Sequence, residues 1–166
     1  MPAPFNLQLT ADFYDAAGKP KYEDIGLSTL VAAPHIRQAA FATHSPEIAP
    51  EQLEGANGVI VLTPKVTARS VSRAKDLLAV GRFGVGYDSV DVAACSAADV
   101  AVFITSGAVD RPVAEATVGW MIALTHHMRT KDRLVRTGIW DARSRYMGRE
   151  LRDRTLGVIG LGGIAR

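Results

Sequence analysis

The chain has 166 residues, 48% of them hydrophobic and 22% charged, which suits a soluble globular protein with a real core. No apolar run is long enough to span a bilayer, and MPAPFNLQLTADFYD has neither the basic start nor the apolar stretch of a secretory signal. The net charge of +2 hides an asymmetry: residues 1–127 carry 9 Lys and Arg against 13 Asp and Glu, and residues 128–166 carry 10 against 4. Acids are scattered through that basic stretch, so a solvated helix and loop is favoured over a nucleic-acid surface. Cys95 is the single cysteine, which excludes an intrachain disulfide and points to the cytoplasm. In AACSAAD it reads as a small buried residue rather than a nucleophile.

Five short apolar runs predict strands: NLQLTA (6–11), QAAFAT (38–43), NGVIVLT (57–63), LLAVGRFG (77–84) and VAVFIT (100–105). Between them EIAPEQLEGA, KVTARSVSRAKD and DVAACSAAD predict helices. Asp91 caps the last of these. Strands alternating with helices imply a parallel sheet covered on both faces, joined by right-handed crossovers. The expected architecture is therefore a flavodoxin-like α/β layer structure over residues 1–105, and a second unit over 106–166.

A long helix follows in RPVAEATVGWMIALTHHM, with Asp110 as its cap and Pro112 in its first turn. Val113, Ala116, Val118, Trp120, Met121, Ile122, Ala123 and Leu124 leave it almost no polar face. Such a helix is expected to be buried between two domains or two subunits. A basic helix comes next and stops at Gly138. TLGVIG (155–160) then predicts a strand and GLGGIA its turn.

Two glycine turns carry the candidate chemistry. In GLGGIA, Gly160 and Gly162 with Ala165 match G-x-G-x-x-G/A, where glycine makes the tight turn and lets backbone approach a pyrophosphate. In RFGVGYDSVD, Gly84 and Gly86 flank Val85 at the C-terminal end of a predicted strand, where open α/β sheets bind ligands. Two readings stand for that turn. It can offer successive amides to a carboxylate or phosphate, or it can simply lead into the helix capped by Asp91.

Three stretches in order narrow the choice. RFGVGYDSVDVAACSAADVAVFITSGAVDRPVAEATVGWMIAL, GIWDARSRYMGRELRDRTLGVIG and LGGIAR together resemble the D-isomer-specific 2-hydroxyacid dehydrogenases, a family that includes phosphoglycerate dehydrogenase and glyoxylate/hydroxypyruvate reductase. The likeness is close over 57–166 and loose over 1–56. It implies a flavodoxin-like substrate-binding domain, then the beginning of a Rossmann domain for NAD or NADP. It implies that the backbone of Val85 and Gly86 holds the substrate carboxylate and that Val85 also approaches the nicotinamide. It places Thr117, Gly160, Gly162, Gly163 and Ile164 against the cofactor, and it makes helix 112–128 a homodimer contact. The implied substrate is a small 2-hydroxy or 2-oxo acid, with no metal, nucleic acid or membrane involved.

The departures carry information too. Many members have Arg-Ser where this chain has Leu62 and Thr63, and that arginine favours phosphorylated substrates. Where many members read NTPGANARSVAE, this chain reads ITSGAVDRPVAE. The family's catalytic arginine, acid and histidine have no counterparts in residues 1–166. His35, His44, His126 and His127 match none of those roles and read as surface or packing residues. The chain is thus expected to be the N-terminal portion of a dehydrogenase and inactive alone. The alternative is a non-catalytic dimerising or corepressor-like module of the same fold.

Overall fold

The computed structural model describes residues 3–166. The chain forms two compact units, Met1–Ser106 and Gly107–Arg166. The first is built on β1 (Phe5–Leu9), β2 (Ile36–Ala40), β3 (Gly58–Val61), β4 (Ala79–Arg82) and β5 (Ala101–Ile104). All four pairings are parallel, in the order β2-β1-β3-β4-β5. All five predicted strands are present, in the flavodoxin-like order.

Alternation within the strands decides what is buried. Val59 and Val61 of β3 and Val80 of β4 point to one face, with Leu53, Val71, Leu77, Val90 and Cys95 packed over them. The covering pieces are a 3₁₀ turn at Pro50–Leu53, α2 (Ala68–Val71) and α3 (Val92–Ala97). They are shorter than the helices expected there. Each is pinned by hydrogen bonds at its start rather than by length. The Thr67 side chain accepts from the Ser70 amide at 3.3 Å while the Ser70 hydroxyl accepts from the Thr67 amide at 3.0 Å. Asp91 accepts from the Ala94 amide at 2.9 Å, the cap expected from sequence.

The cover expected on both faces is present but uneven: on the face opposite Val59 and Val61, Leu7 and Leu9 of β1 are buried, whereas the β5 side of that face is open. Connections running β3 to β4 to β5 fall on the same side if all are right-handed. The β1-to-β2 connection runs the other way across the sheet and falls on the opposite side. It carries only the four-residue α1 (Ser28–Val31). Phe103, which alternates with the core-facing Val102 on the edge strand β5, is 61% exposed.

The second unit holds α4 (Asp110–Thr125), α5 (Met128–Arg136) and a 3₁₀ segment at Asp141–Tyr146. His127, at φ 53°, turns the chain between the helices, and its ring meets Tyr146 edge-on at 6.0 Å. Arg149 donates to the Thr125 carbonyl at 3.1 Å, and Gly148 sits where a side chain would strike His126. Both histidines therefore serve packing. Gly138, at φ 71°, follows α5 as expected. Arg136 is paired with Asp132 at 2.8 Å, in keeping with a solvated basic helix.

Two expectations for this unit need correction, the cap of α4 and the strand at TLGVIG. The cap of α4 is Val109, without a side-chain bond, and Asp110 is instead the first helical residue. In this single chain no residue of α4 is buried, with Trp120 69% and Leu124 71% exposed, and α5 is the main element packed on it. TLGVIG is not a strand. A strand exists only in a ladder, and no described strand pairs with residues 155–160. No helix is long and apolar enough to cross a membrane among the described residues.

Replacing Asp91 by Ala is expected to cost about 1 kcal/mol through loss of the α3 cap, while Asp91→Asn stays within a few tenths. Urea unfolding of the two variants measures the difference.

Candidate functional site

Parallel pairing brings the C-terminal ends of β1, β3 and β4 to one edge of the sheet, and the chain after each makes the candidate site. After β4 comes Phe83-Gly84-Val85-Gly86. The Phe83 amide donates to the Val61 carbonyl and the Gly84 amide to the Arg82 carbonyl, both at 2.8 Å, and Thr105 donates to the Gly84 carbonyl at 3.1 Å. The amides of Val85 and Gly86 donate to no group among the described residues. Val85 is half-buried and Gly86 exposed, so two successive donors stand free at the end of a central strand.

The two glycines differ in kind. Gly84 has φ 151°, and a Cβ there would also run into the Arg82 guanidinium, which donates to the Phe83 carbonyl. Its conformation alone calls for glycine. At Gly86 a Cβ would meet only Asp88 Oδ2, at 3.8 Å, an ordinary contact. The fold itself leaves room for a methyl group there.

After β1 the chain makes a 3₁₀ turn at Ala11–Phe13, then doubles back through Gly18 so that Tyr14 bridges Pro20. Asp12 is only 8% exposed. Its Oδ2 accepts from the Thr63 amide at 2.9 Å and from the Thr63 hydroxyl. The Leu62 amide donates to Thr10 Oγ1 at 3.1 Å. Burial pushes the Asp12 carboxyl up, but the hydroxyls of Thr10 and Thr63 and the Thr63 amide outweigh it and hold it below its ordinary value. Phe13, Tyr22 and Phe83 form an aromatic trio, with Phe13 and Phe83 edge-on at 5.3 Å. A cavity of about 390 Å³ is lined by Asp12, Tyr14, Lys21, Tyr22, His44, Leu62 and Thr63, among others. A larger one, about 750 Å³, lies along β1 and β2, and none of residues 83–86 lines either cavity.

Sequence reasoning found the Val85–Gly86 turn and missed this clasp. The signal available was an acid, Asp12, placed just past a predicted strand. Its partner is 51 residues away and has no signature of its own.

The remaining candidates lie in the second unit. Thr117 is exposed, and its hydroxyl donates to the Val113 carbonyl at 2.8 Å. Gly160 has φ 88°, and Gly162 has open space around it, so both suit close approach by a ligand. Gly163 lies against the Asp110 carboxylate. The amides of Ala165 and Arg166 both donate to the Gly162 carbonyl at 3.2 Å, closing a single turn. A pyrophosphate needs aligned amides at a helix start and no nearby anion. Residues 160–164 meet the glycine requirement only, so a dinucleotide does not fit the turn in this form. Ile164 is 43% exposed. No group of three or more His, Cys, Asp or Glu could hold a metal among the described residues. Cys95 is buried, and burial, aided by the Asp91 charge, pushes its thiol up, which makes it a poor nucleophile.

Residues 23–155 match the family described as D-isomer specific 2-hydroxyacid dehydrogenase, catalytic domain. D-3-phosphoglycerate dehydrogenase of Rattus norvegicus is 37% identical over 116 residues, which is 69% of this chain and 22% of that protein. Glyoxylate reductase of Thermofilum pendens is 35% identical over 107 residues, 63% of this chain and 32% of that protein. The NAD-dependent formate dehydrogenase of Staphylococcus aureus, solved with NAD, superposes with a TM-score of 0.77 at 21% identity, covering 97% of this chain and 51% of that one. The chain thus spans a third or less of the relatives it matches in sequence and about half of the solved neighbour.

Because the folded-state pKa of Asp12 lies below the ordinary 3.8, its stabilisation is complete above that value and is lost as pH falls through the folded pKa. The gap in urea midpoint between wild type and Asp12→Asn is therefore expected to be constant above about pH 5 and to shrink below pH 4. A gap that widens on acidification contradicts this.

Proposed function

The chain belongs to the D-isomer-specific 2-hydroxyacid dehydrogenase family, and from that premise we propose that residues 1–105 are its substrate-binding unit and 106–166 the beginning of its NAD(P)-binding unit. The whole protein then oxidises or reduces a small 2-hydroxy or 2-oxo acid, the nicotinamide cofactor supplying the hydride chemistry. One observation carries the reading: the free, adjacent amides of Val85 and Gly86 at the end of β4. Backbone N–H groups are fixed, neutral donors suited to a carboxylate. Leu62 stands beside the cavity where a phosphate-binding arginine would favour phosphoglycerate, so a small unphosphorylated acid fits better.

The part this chain plays is binding and orientation. Val85 and Gly86 hold the carboxylate, and Val85 also faces the nicotinamide end of the cofactor. Thr117, Gly160, Gly162, Gly163 and Ile164 belong to the NAD or NADP side. With no histidine in the family's acid/base position, the 166-residue chain by itself turns over no 2-oxo acid. Helix 112–128 makes a homodimer, a reading supported by the exposed Val118, Trp120 and Leu124. The same helix favours the non-catalytic, dimerising alternative. Turnover in the whole protein separates the two. A cytoplasmic setting suits the lone, unreactive Cys95.

Gly86→Ala gives the sharpest test. It is expected to leave the unfolding free energy in urea unchanged within about 0.5 kcal/mol, as for surface substitutions away from special features. Pyruvate should shift the Val85 and Gly86 amide resonances of the wild-type chain and leave those of Gly86→Ala unmoved. Equal pyruvate affinity in both proteins rules out the carboxylate reading. For the dimer, sedimentation of wild type against Trp120→Glu should show a dimer becoming a monomer. Unchanged mass rules out that contact.

A further inference from the structure

We infer that Asp12 is a positioning residue for the Phe83–Gly86 turn, acting from the turn after β1 on the chain ends after β3 and β4. The inference rests on the carboxylate reading for its purpose but not for its test. Adjacent residues of one 3₁₀ turn grip two different strand ends. Asp12 takes the chain after β3, through the Thr63 amide and hydroxyl. Phe13, 1% exposed, takes the chain after β4, through the ring of Phe83. Those ends are also tied directly, since the Phe83 amide donates to Val61, two residues before Thr63. Loops separated by 51 residues in sequence thereby form one hydrogen-bonded and packed unit.

A carboxylate is an expensive way to make such a tie. Its second oxygen, Oδ1, is buried without a hydrogen-bond partner among the described residues. Buried polar atoms are nearly always paired, so an exception calls for an explanation. A charged acceptor makes shorter, stronger bonds than a neutral one. Here it fixes the chain after β3, whose neighbouring strand β4 leads into the two unpaired amides. Positioning of this kind matters because a free amide holds an anion well only if its direction is fixed beforehand. Asp12 touches neither Val85 nor Gly86 through any hydrogen bond, so its effect travels through Thr63 and Phe83.

Amide hydrogen exchange on the full 166-residue chain tests this without any ligand. Asp12→Asn and Thr63→Val should each raise exchange of the Phe83 and Gly84 amides at least tenfold relative to Val80 in the core of β4. Thr63→Ser, which keeps the hydroxyl, should restore the wild-type rates. If the change is confined to residues 62–64, or if Val80 rises equally, Asp12 is merely structural and the inference fails. Pyruvate titration then separates the two readings. Tenfold weaker binding in Asp12→Asn, at wild-type Val80 protection, supports both. If pyruvate moves neither Val85 nor Gly86 in wild type while Asp12→Asn still loosens Phe83 and Gly84, positioning holds and the carboxylate reading fails.

Discussion

Parallel pairing of β1 with β3, with Leu7 opposite Gly58 and Leu9 opposite Ile60, governs the first unit. Gly58 eases it: a Cβ there would come within 3.0 Å of the Phe5 ring and 3.2 Å of Leu7, tighter than ordinary contact. Once β1 is inserted between β2 and β3, the strand ends after β1, β3 and β4 leave the sheet on one edge. Every group of the candidate carboxylate site descends from that edge. Asp12 follows β1, Thr63 follows β3, and Val85 and Gly86 follow β4. Antiparallel pairing at any of these places would send one loop to the opposite edge and dismantle the site.

The site divides labour between backbone and side chains. In the proposed carboxylate site the donors come from the main chain, which carries no net charge and cannot swing away. Side chains supply support and shape. Phe13, Tyr22 and Phe83 pack ring against ring at the start of the turn, and Leu62, Tyr14 and Lys21 line the cavity. The contrast between Gly84 and Gly86 follows the same division. The first is required by its own backbone angle, whereas the second has room for a side chain within the fold. A glycine that the fold does not need is well placed to serve a ligand.

The second unit shows what helices and strands each require. An α-helix satisfies its own backbone, so α4 and α5 form even with one side exposed. A strand satisfies nothing alone, so TLGVIG keeps its apolar composition without its ladder, and Ile159 is fully exposed. The glycine turn depends on both neighbours. Without a strand before it and a helix after it, its amides are not aligned, and the Asp110 carboxylate lies on Gly163.

Several features were legible in the residues themselves. Strand runs such as GVIV and AVFI are short, β-branched and bounded by turn residues, so their existence and order required no coordinates. Asp91 was readable because a cap acts on amides three residues away. The Val85–Gly86 turn was readable because its glycines sit together at a strand end, and the family followed from several motifs in order. The tertiary structure alone decided the rest. It showed that the second sheet face is covered over Leu7 and Leu9 but open at Phe103, since crossover direction is a property of topology. It moved Asp110 from cap to first helical residue. It joined Asp12 to Thr63, a contact that depends on the register of β1 against β3. Local sequence determines which segments extend, coil or turn, because those choices are made over a few bonds. Which turns meet, and which amides remain free when they do, depends on how the strands are ordered across the sheet.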